Sequence, residues 1–351
     1  MNISIFGLGY VGCVGAACLA KLGHKVIGVD VNENKVRLMN EGKPTIIEAG
    51  IAELCQEAHD KGLMTATTVA AEAVAQSEIS FIVVGTPSSP EGHLNLNYIY
   101  TVAGRIGRAL KDKDGFHIVA IRSTVLPGTN QKVGEILEQE SGKKRGVDFT
   151  VVSNPEFLRE GTSVEDYFNP PLTLIGTDSE LAEQKFRELY KDINAEFIST
   201  DIKVAEMMKY VNNTYHALKI VFGNEVGNIC KGLNIDSHKV MEIFCKDRQL
   251  NISPYYFKPG FAYGGSCISY GIEFIRYIMD FFRKSGHLGD TACVVSYGTV
   301  CIYRYGHSCG RKHSHCGKSY TVKACYKICD HNAYSYEKYG PYCGKHSYSK
   351  S

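Results

Sequence analysis

Residues 3–12 read ISIFGLGYVG, a short apolar run followed by the glycine pattern G-x-G-x-x-G at 7–12. The apolar run is typical of a buried strand, and segment 11–22 has the apolar content of a helix. A second apolar run, 25–29, ends at Asp30. Strand, glycine turn, helix, strand and terminal acid in this order predict a dinucleotide-binding βαβ unit.

Each glycine of this turn has its own predicted role. Gly7 permits the tight turn, Gly9 lets the backbone approach a pyrophosphate, and Gly12 lets helix and strand pack closely. The start of the helix offers free N–H groups and a positive dipole end to the phosphates. Asp30 is placed to accept hydrogen bonds from both ribose hydroxyls and to repel a 2′-phosphate, so the pattern favours NAD over NADP.

Three more apolar runs of strand type follow, at 79–84, 116–121 and 149–153. Because strands alternate with helical stretches, the sequence predicts an α/β fold with a Rossmann-type doubly wound parallel sheet. Ligands bind such sheets beyond the carboxyl ends of the strands. Three polar residues are predicted to lie there: Thr86, Thr124 and Glu160.

Segment 201–232 predicts one long central helix, because it contains only two glycines before its last residue and no proline. Apolar residues recur along it at intervals of three and four and form one stripe: Val204, Met207, Met208, Val211, Tyr215, Leu218 and Phe222. Lys209, Asn213 and His216 lie on another face, one turn apart. Their alignment beside a predicted cofactor domain makes them candidate site residues.

Composition excludes several classes of protein. The chain has 351 residues with a net charge of +2, which disfavours nucleic acid or an anionic membrane as the main partner. The N-terminus lacks the features of a signal peptide, and no run of about 18 apolar residues occurs, so the cytoplasm is the expected compartment. The length suits two domains of ordinary size.

Cysteines are unevenly distributed. Of the 13, seven fall between Cys293 and Cys343 and the others are scattered. The scattered ones are expected to be reduced and buried in a cytosolic chain. Cys267 is a possible exception, because the segment 255–267, YYFKPGFAYGGSC, places glycines and aromatic residues just ahead of it. That composition is typical of a loop through which a substrate approaches a thiol, although an inert buried cysteine stays the alternative.

Together, these segments resemble the UDP-glucose/GDP-mannose dehydrogenase family over about residues 1–268. The matching motifs are GLGYVG at 7–12, VGTP at 84–87, RSTVLPGT at 122–129, NPEFLREGT at 154–162, KYVNNTYHALK at 209–219, NE at 224–225 and PGFAYGGSC at 259–267. His216, Asn224 and segment 245–267 resemble the members that act on GDP-mannose. The members that act on UDP-glucose are the nearest alternative.

The resemblance implies an NAD-dependent, four-electron oxidation of a nucleotide sugar, in which the C6 alcohol becomes a carboxylate. It implies that the Cys267 thiolate attacks the aldehyde, that a thioester forms after the second hydride transfer, and that water hydrolyses this thioester. It further implies a homodimer that forms through the long helix.

The resemblance also implies residue roles. Lys209 and Asn213 stabilise the oxyanion, and Glu156 and Glu160 are candidates for activating water, with the choice of base left open. The implied catalytic residues are Cys267, Lys209, Asn213, Glu156, Glu160 and Thr124. The implied NAD contacts are Gly7, Gly9, Tyr10, Val11, Gly12, Asp30, Lys35, Thr86 and Thr124. The implied substrate contacts are Glu160, Lys209, Asn213, His216, Asn224, Tyr255, Tyr256 and Lys258. No metal is implied.

The chain departs from the family pattern directly after Cys267. The family continues with proline, lysine and aspartate, whereas here Tyr270 and Gly271 replace the lysine and aspartate. A catalytically impaired protein that binds NAD or a nucleotide sugar is therefore a further alternative.

The predicted domains are an NAD-binding domain at 1–200, a central helical domain for dimerisation and substrate at 201–284, and an atypical tail at 285–351. The tail is rich in Cys, Tyr and His, lacks the periodicity of a third Rossmann-like domain, and is predicted to be disordered. A shifted reading frame, a divergent segment and a metal-binding tail are the three interpretations. The last rests on groupings such as Cys309, His313, His315 and Cys316, or Cys325 and Cys329.

Overall fold

A computed structural model of the chain describes residues 1–87, 94–253, 291–296 and 299–304. The chain divides into two compact units, Met1–His216 and Ala217–Ser351. Several predicted site residues lie outside the described residues: Tyr255, Tyr256, Lys258 and Cys267. The departure from the family pattern at Tyr270 and Gly271 and most of the tail also lie outside them.

The first unit contains one eight-stranded sheet with the order β3-β2-β1-β4-β5-β6-β7-β8. All neighbours are parallel except β6 and β7, which pair antiparallel through Ser153 and Gly176. Its six-strand part has the order of a dinucleotide-binding sheet, which confirms the predicted fold class. The strands are β1 (Asn2–Phe6), β2 (Lys25–Val29), β3 (Met64–Thr67), β4 (Ile79–Ile82), β5 (His117–Ile121), β6 (Phe149–Ser153), β7 (Thr173–Gly176) and β8 (Phe197–Thr200).

Helices that lie between its strands along the chain cover both faces of this sheet, and a long helix follows the last strand. They are α1 (Tyr10–Lys21), α2 (Glu33–Asn40), α3 (Ile51–Asp60), α4 (Ala70–Gln76), α5 (Asn97–Leu110), α6 (Thr129–Ser141), α7 (Ser163–Phe168), α8 (Glu180–Leu189) and α9 (Ile202–Gly232). No helix within the described residues is long and apolar enough to cross a membrane.

Two hydrophobic clusters pack on the two faces of the sheet. Ile5 of β1 lies in one cluster, and the next residue, Phe6, lies in the other, as the alternation of side chains along a strand requires. In the first cluster the Phe81 and Phe186 rings meet edge to face, with centroids 5.9 Å apart. Phe149 anchors the second cluster. The sheet is therefore buried on both faces, which holds the carboxyl ends of its strands in fixed relative positions.

A buried polar network crosses the middle of the sheet. The Ser80 hydroxyl lies 2.7 Å from that of Ser4 and 2.8 Å from Nε2 of His117. Burial, the largest cause, and the nearby Lys113 charge lower the pKa of His117 to about 3. The histidine is therefore neutral in the folded protein at neutral pH.

The long helix α9 is confirmed, and it begins one residue later than predicted. Its buried residues in the first unit include Glu206 and Lys209, whereas Val204, Met207 and Val211 are about half exposed. The apolar stripe therefore faces outward here, and a polar face packs inward, which reverses the usual arrangement of a surface helix.

The second unit contains the end of α9, helix α10 (Ser237–Phe244) and a two-stranded antiparallel sheet of β9 (Thr291–Ser296) and β10 (Thr299–Arg304). Asp236 caps α10 by accepting hydrogen bonds from the backbone N–H groups of His238 and Lys239. The Phe222 and Phe244 rings lie 5.5 Å apart. The two short strands are the only part of the tail that the structure describes.

Candidate active site

The glycine turn between β1 and α1 has the geometry of a phosphate cradle. Gly7 has a positive φ of +104°, and a Cβ there would lie 2.6 Å from the Val83 carbonyl oxygen. A Cβ at Gly12 would overlap the Gly7 carbonyl oxygen, whereas nothing lies within 4 Å of the Cβ position of Gly9. The first and third glycines are thus required by packing, and the middle one leaves room for a ligand to approach.

The start of α1 is free to bind an anion. Its N-cap is Gly9, no side chain caps it, and its first turn has no acidic residue. Its N–H groups and positive dipole end can therefore receive a pyrophosphate, so the turn fits an NAD molecule.

Asp30, which directly follows β2, binds the backbone of the glycine turn through its carboxylate. Its Oδ2 accepts a hydrogen bond from the Leu8 N–H at 2.7 Å, and its Oδ1 accepts one from Asn32 N–H at 2.9 Å. Lys35 Nζ lies 3.7 Å from the same carboxylate. Only about a tenth of the Asp30 side chain is exposed, which leaves it as a partly buried anion at the edge where a ribose would lie.

Tyr10, in the first turn of α1, donates a hydrogen bond to the Glu48 carboxylate. Glu48 also accepts from the backbone N–H groups of Gly161, at 2.9 Å, and Ser163, at 3.1 Å. The Tyr10 bond is the largest of the causes that lower the pKa of Glu48. Glu48 thereby connects the dinucleotide helix to the start of α7, a role that the sequence analysis did not predict.

Thr86 and Thr124 come together beyond the ends of β4 and β5. The Thr86 hydroxyl donates a hydrogen bond to the Thr124 carbonyl oxygen at 3.0 Å. Ser123 forms a second hydrogen bond between the same two loops, because its hydroxyl donates to the Val84 carbonyl oxygen at 2.7 Å. The two loops form a single edge next to the glycine turn, because β4 lies between β1 and β5 in the sheet.

Lys209 on α9 and Glu156, after β6, form a buried ion pair. Lys209 Nζ lies 2.8 Å from Glu156 Oε1 and donates to the Glu156 carbonyl oxygen at 2.7 Å. Each side chain is 11% exposed, so water screens the pair weakly. The second carboxylate oxygen, Oε2, accepts from Leu158 N–H at 2.6 Å. Both residues were predicted from the sequence to belong to the site, but their contact was not predicted.

The other named residues differ in position. Glu160 is exposed and makes no hydrogen bond or ion pair within the described residues. Val11 is partly buried in α1. Asn213 and His216 are exposed on α9, one and two turns beyond Lys209. Asn224, also exposed, lies in the second unit.

Glu206 is a buried residue beside the site that was not predicted from the sequence. This α9 residue is 2% exposed, and it accepts three hydrogen bonds from Gly128 and Asn130 at the start of α6. The only signal in the sequence is an acid one helical turn before Lys209, which is more commonly a solvated residue. In the part of the chain that is described, no group of three or more His, Cys, Asp or Glu residues could hold a metal.

The strand order of the sheet and the geometry of the glycine turn define a Rossmann-type dinucleotide-binding protein. The chain belongs to the UDP-glucose/GDP-mannose dehydrogenase family. Residues 1–194 match the family's NAD binding domain, and residues 203–287 match its central domain.

Two curated nucleotide-sugar dehydrogenases illustrate what this chain is similar to. It is 49% identical over 278 residues to GDP-mannose 6-dehydrogenase of Pseudomonas aeruginosa, with 79% of this chain and 64% of the relative covered. It is 38% identical over 273 residues to a UDP-glucose 6-dehydrogenase of Haloferax volcanii, with 76% and 63% covered. The chain therefore spans less than two thirds of the length of these relatives.

Solved structures agree with these relationships. The ternary complex of GDP-mannose dehydrogenase from Pseudomonas aeruginosa matches with a TM-score of 0.78 and 47% identity, over 82% of this chain and 65% of that one. A UDP-glucose dehydrogenase from Pyrobaculum islandicum matches with a TM-score of 0.68 and 39% identity, over 81% and 64%.

Proposed function

We propose that this protein oxidises the C6 alcohol of a nucleotide sugar to a carboxylate with NAD as the oxidant, and that GDP-mannose is its substrate. The observation that carries the proposal is the buried Lys209–Glu156 pair. It lies after β6, on the same edge of the sheet as the glycine turn and the Thr86–Thr124 contact. The greater identity to the GDP-mannose enzymes, 49% against 38%, favours GDP-mannose over UDP-glucose.

Bound NAD supplies a hydride acceptor, and two molecules are needed for the four electrons. Gly9 and the N–H groups of α1 would hold the pyrophosphate, and Asp30 and Lys35 lie where the adenosine ribose would bind. Thr86 and Thr124 would contact the cofactor from the next two strands. In this way the sheet edge would hold the hydride acceptor against the sugar and restrict its motion.

Lys209 is suited to stabilise the oxygen that gains charge during the reaction. An ammonium group has three N–H donors, and the two bonds to Glu156 leave one to point at a substrate oxygen. Because the pair is largely buried, this donor acts where water competes weakly. Glu156 holds the ammonium in place and is a candidate to activate the hydrolytic water, as is Glu160.

Cys267 is proposed to attack the aldehyde carbon as a thiolate and to form a thiohemiacetal. Loss of a hydride to NAD and of the hydroxyl proton from that adduct would give a thioester, and attack by water would release the sugar carboxylate, a proton and the free thiol. Asn213, His216, Asn224, Tyr255, Tyr256 and Lys258 are proposed to contact the substrate. Gly271, in place of the family's aspartate, favours one alternative, an impaired protein that binds NAD without turnover.

The outward-facing stripe of α9 supports a homodimer. Val204, Met207 and Val211 expose apolar surface along one side of the helix, as an unpaired interface would. The domain limits at 200 and 284 also remain proposals. A mass measurement by light scattering should give twice the 38.8 kDa chain mass. A monomer at micromolar concentration would contradict the dimer without affecting the proposed chemistry.

NADH yield at completion tests the proposed reaction. Limiting GDP-mannose with excess NAD should give about two NADH per sugar, since each hydride transfer reduces one NAD, and UDP-glucose in a parallel sample should give none. Equal NADH yields from GDP-mannose and UDP-glucose would mean that the protein oxidises both nucleotide sugars. A protein that binds NADH but yields no NADH from either sugar would support the impaired alternative and contradict the proposal.

A further inference from the structure

Glu206 is the most buried acidic side chain among the described residues, at 2% exposed. Its Oε2 accepts a hydrogen bond from Gly128 N–H at 2.6 Å. Its Oε1 accepts two from Asn130, one from the backbone N–H and one from Nδ2, both at 2.8 Å. No cation within 4 Å pairs with this carboxylate in the described part of the chain. A buried charge held only by N–H donors requires those donors to be accurately placed.

The three donors all lie at the start of α6. That helix has no side-chain cap of its own and no acidic residue in its first turn. Gly128, its N-cap residue, has a positive φ of +96°. Glu206 therefore supplies, from α9, the cap and the negative charge that the first turn of α6 lacks.

Two site residues lie close to this contact along the chain. Lys209 follows Glu206 by one turn of α9, so the two buried side chains project from the same side of the helix. Thr124 lies four residues before Gly128, in the loop that joins β5 to α6. Thr86 holds that loop at the Thr124 carbonyl oxygen, and Glu206 holds its other end.

We infer that Glu206 is a positioning residue that fixes the cofactor-side loop carrying Thr124 relative to Lys209. This inference rests on the proposed function, which places Thr124 on the cofactor and Lys209 on the sugar. Without the carboxylate, the start of α6 would no longer be bound to α9. The loop could then shift against the ammonium group that must face the same reacting carbon.

A purely structural cap would have a different signature from a positioning contact. Glu206→Gln keeps the shape of the side chain but removes the charge and one acceptor oxygen. Adding Gln131→Glu to it returns a negative charge to the exposed first turn of α6 without restoring a bond to α9. Glu135→Gln is the matched control, since Glu135 lies on α6 and contacts only the exposed side chains of Lys132 and Gln131 within the described residues.

The test combines NADH affinity by fluorescence, amide hydrogen exchange over segment 122–130, thermal unfolding and turnover. In Glu206→Gln we expect exchange at Gly128 and Asn130 to rise about tenfold and NADH to bind about tenfold more weakly. Turnover should fall by about 100-fold, the scale of a misplaced reacting group. With Gln131→Glu added, the melting temperature should recover, while NADH affinity and turnover should not.

Recovery of NADH affinity together with the melting temperature would show that Glu206 only caps α6 and would overturn the inference. Unchanged NADH affinity in a folded Glu206→Gln protein would overturn it as well. If that variant does not fold, the same measurements and criteria apply to Asn130→Ala. This substitution removes one of the three hydrogen bonds to Glu206, the one from the Asn130 side chain. A wild-type protein without turnover would contradict the proposed function alone, because NADH affinity and exchange still decide the role of Glu206.

Discussion

The dinucleotide turn and the Lys209–Glu156 site lie on one edge of the sheet but are built in opposite ways. The turn uses the backbone of a contiguous segment, 7–12, and requires that Gly7 and Gly12 have no Cβ atom. The second site joins charged side chains from the segment after β6 and from α9, which are far apart in sequence, and α9 also binds the start of α6 through Glu206. Contiguous backbone geometry is encoded in residue spacing, whereas convergence of side chains depends on the completed fold.

The two regions should therefore fail differently. A substitution in the turn should remove cofactor binding and damage the fold together, since the glycines also let α1 pack on the sheet. A substitution at the lysine–carboxylate pair should remove turnover while leaving the turn able to bind NADH.

Gly12→Val should have the largest effect, because even a Cβ at this position overlaps the Gly7 carbonyl oxygen. We expect a loss of about 3 kcal/mol in the free energy of unfolding, the upper scale of overpacking, and no detectable NADH binding. Urea unfolding and NADH fluorescence measure the two effects. Gly15→Ala is the matched control in the same helix, since nothing lies within 4 Å of its Cβ position, and it should keep full binding. Wild-type NADH affinity in Gly12→Val would disprove the cradle.

Lys209→Met should abolish most turnover and spare NADH binding. Loss of a buried donor to a developing oxyanion costs about 100- to 1,000-fold in kcat. Stability should fall by about 1–3 kcal/mol, because the Glu156 carboxylate loses its ion-pair partner. Adding Glu156→Gln should restore stability but not turnover. Lys239→Met, which breaks an exposed pair with Glu242, should change neither property. A tenfold loss of NADH affinity in Lys209→Met would show that the two regions are not separable.

His117→Gln should change only the pH dependence of stability. The folded-state pKa of His117, about 3, lies below its unfolded value of about 6.5, so the unfolded chain gains a proton first as the pH falls. Stability present above pH 6.5 is therefore lost by up to about 1.4 kcal/mol per pH unit on the way down toward pH 3. Between pH 6.5 and 5, Gln at 117 should remove this slope, and His238→Gln, on exposed α10, should keep it. Equal slopes in all three proteins would contradict the neutral buried histidine.

The same contrast explains what the sequence could predict. The strand at 25–29, the strand at 149–153 and the long helix were predicted within one residue, because apolar runs and spacing encode them. Strands β3, MTAT, and β8, FIST, were not predicted, since they are short, rich in threonine and serine, and take their place from their neighbours in the sheet.

The candidate site likewise has a part that the local sequence predicts and a part that depends on the completed fold. Thr86 and Thr124 were predicted to lie at the binding edge because each follows a predicted strand, and the structure brings them into contact. The partners of Lys209 and the whole role of Glu206 were not predictable. A lysine or glutamate on a helix has the same local pattern whether it is solvated or buried. Only the packing of α9 against the 156 and 128 loops distinguishes the two states.

The most direct test of the NAD site is a calorimetric titration of the intact chain with NAD and, separately, with NADP. We expect saturable binding of NAD and an affinity for NADP that is weaker by about 100-fold, because a 2′-phosphate would face the partly buried Asp30 carboxylate. Equal affinity for both nucleotides, or no binding of NAD, would contradict the claim that the turn at Gly7–Gly12 and Asp30 form an NAD site.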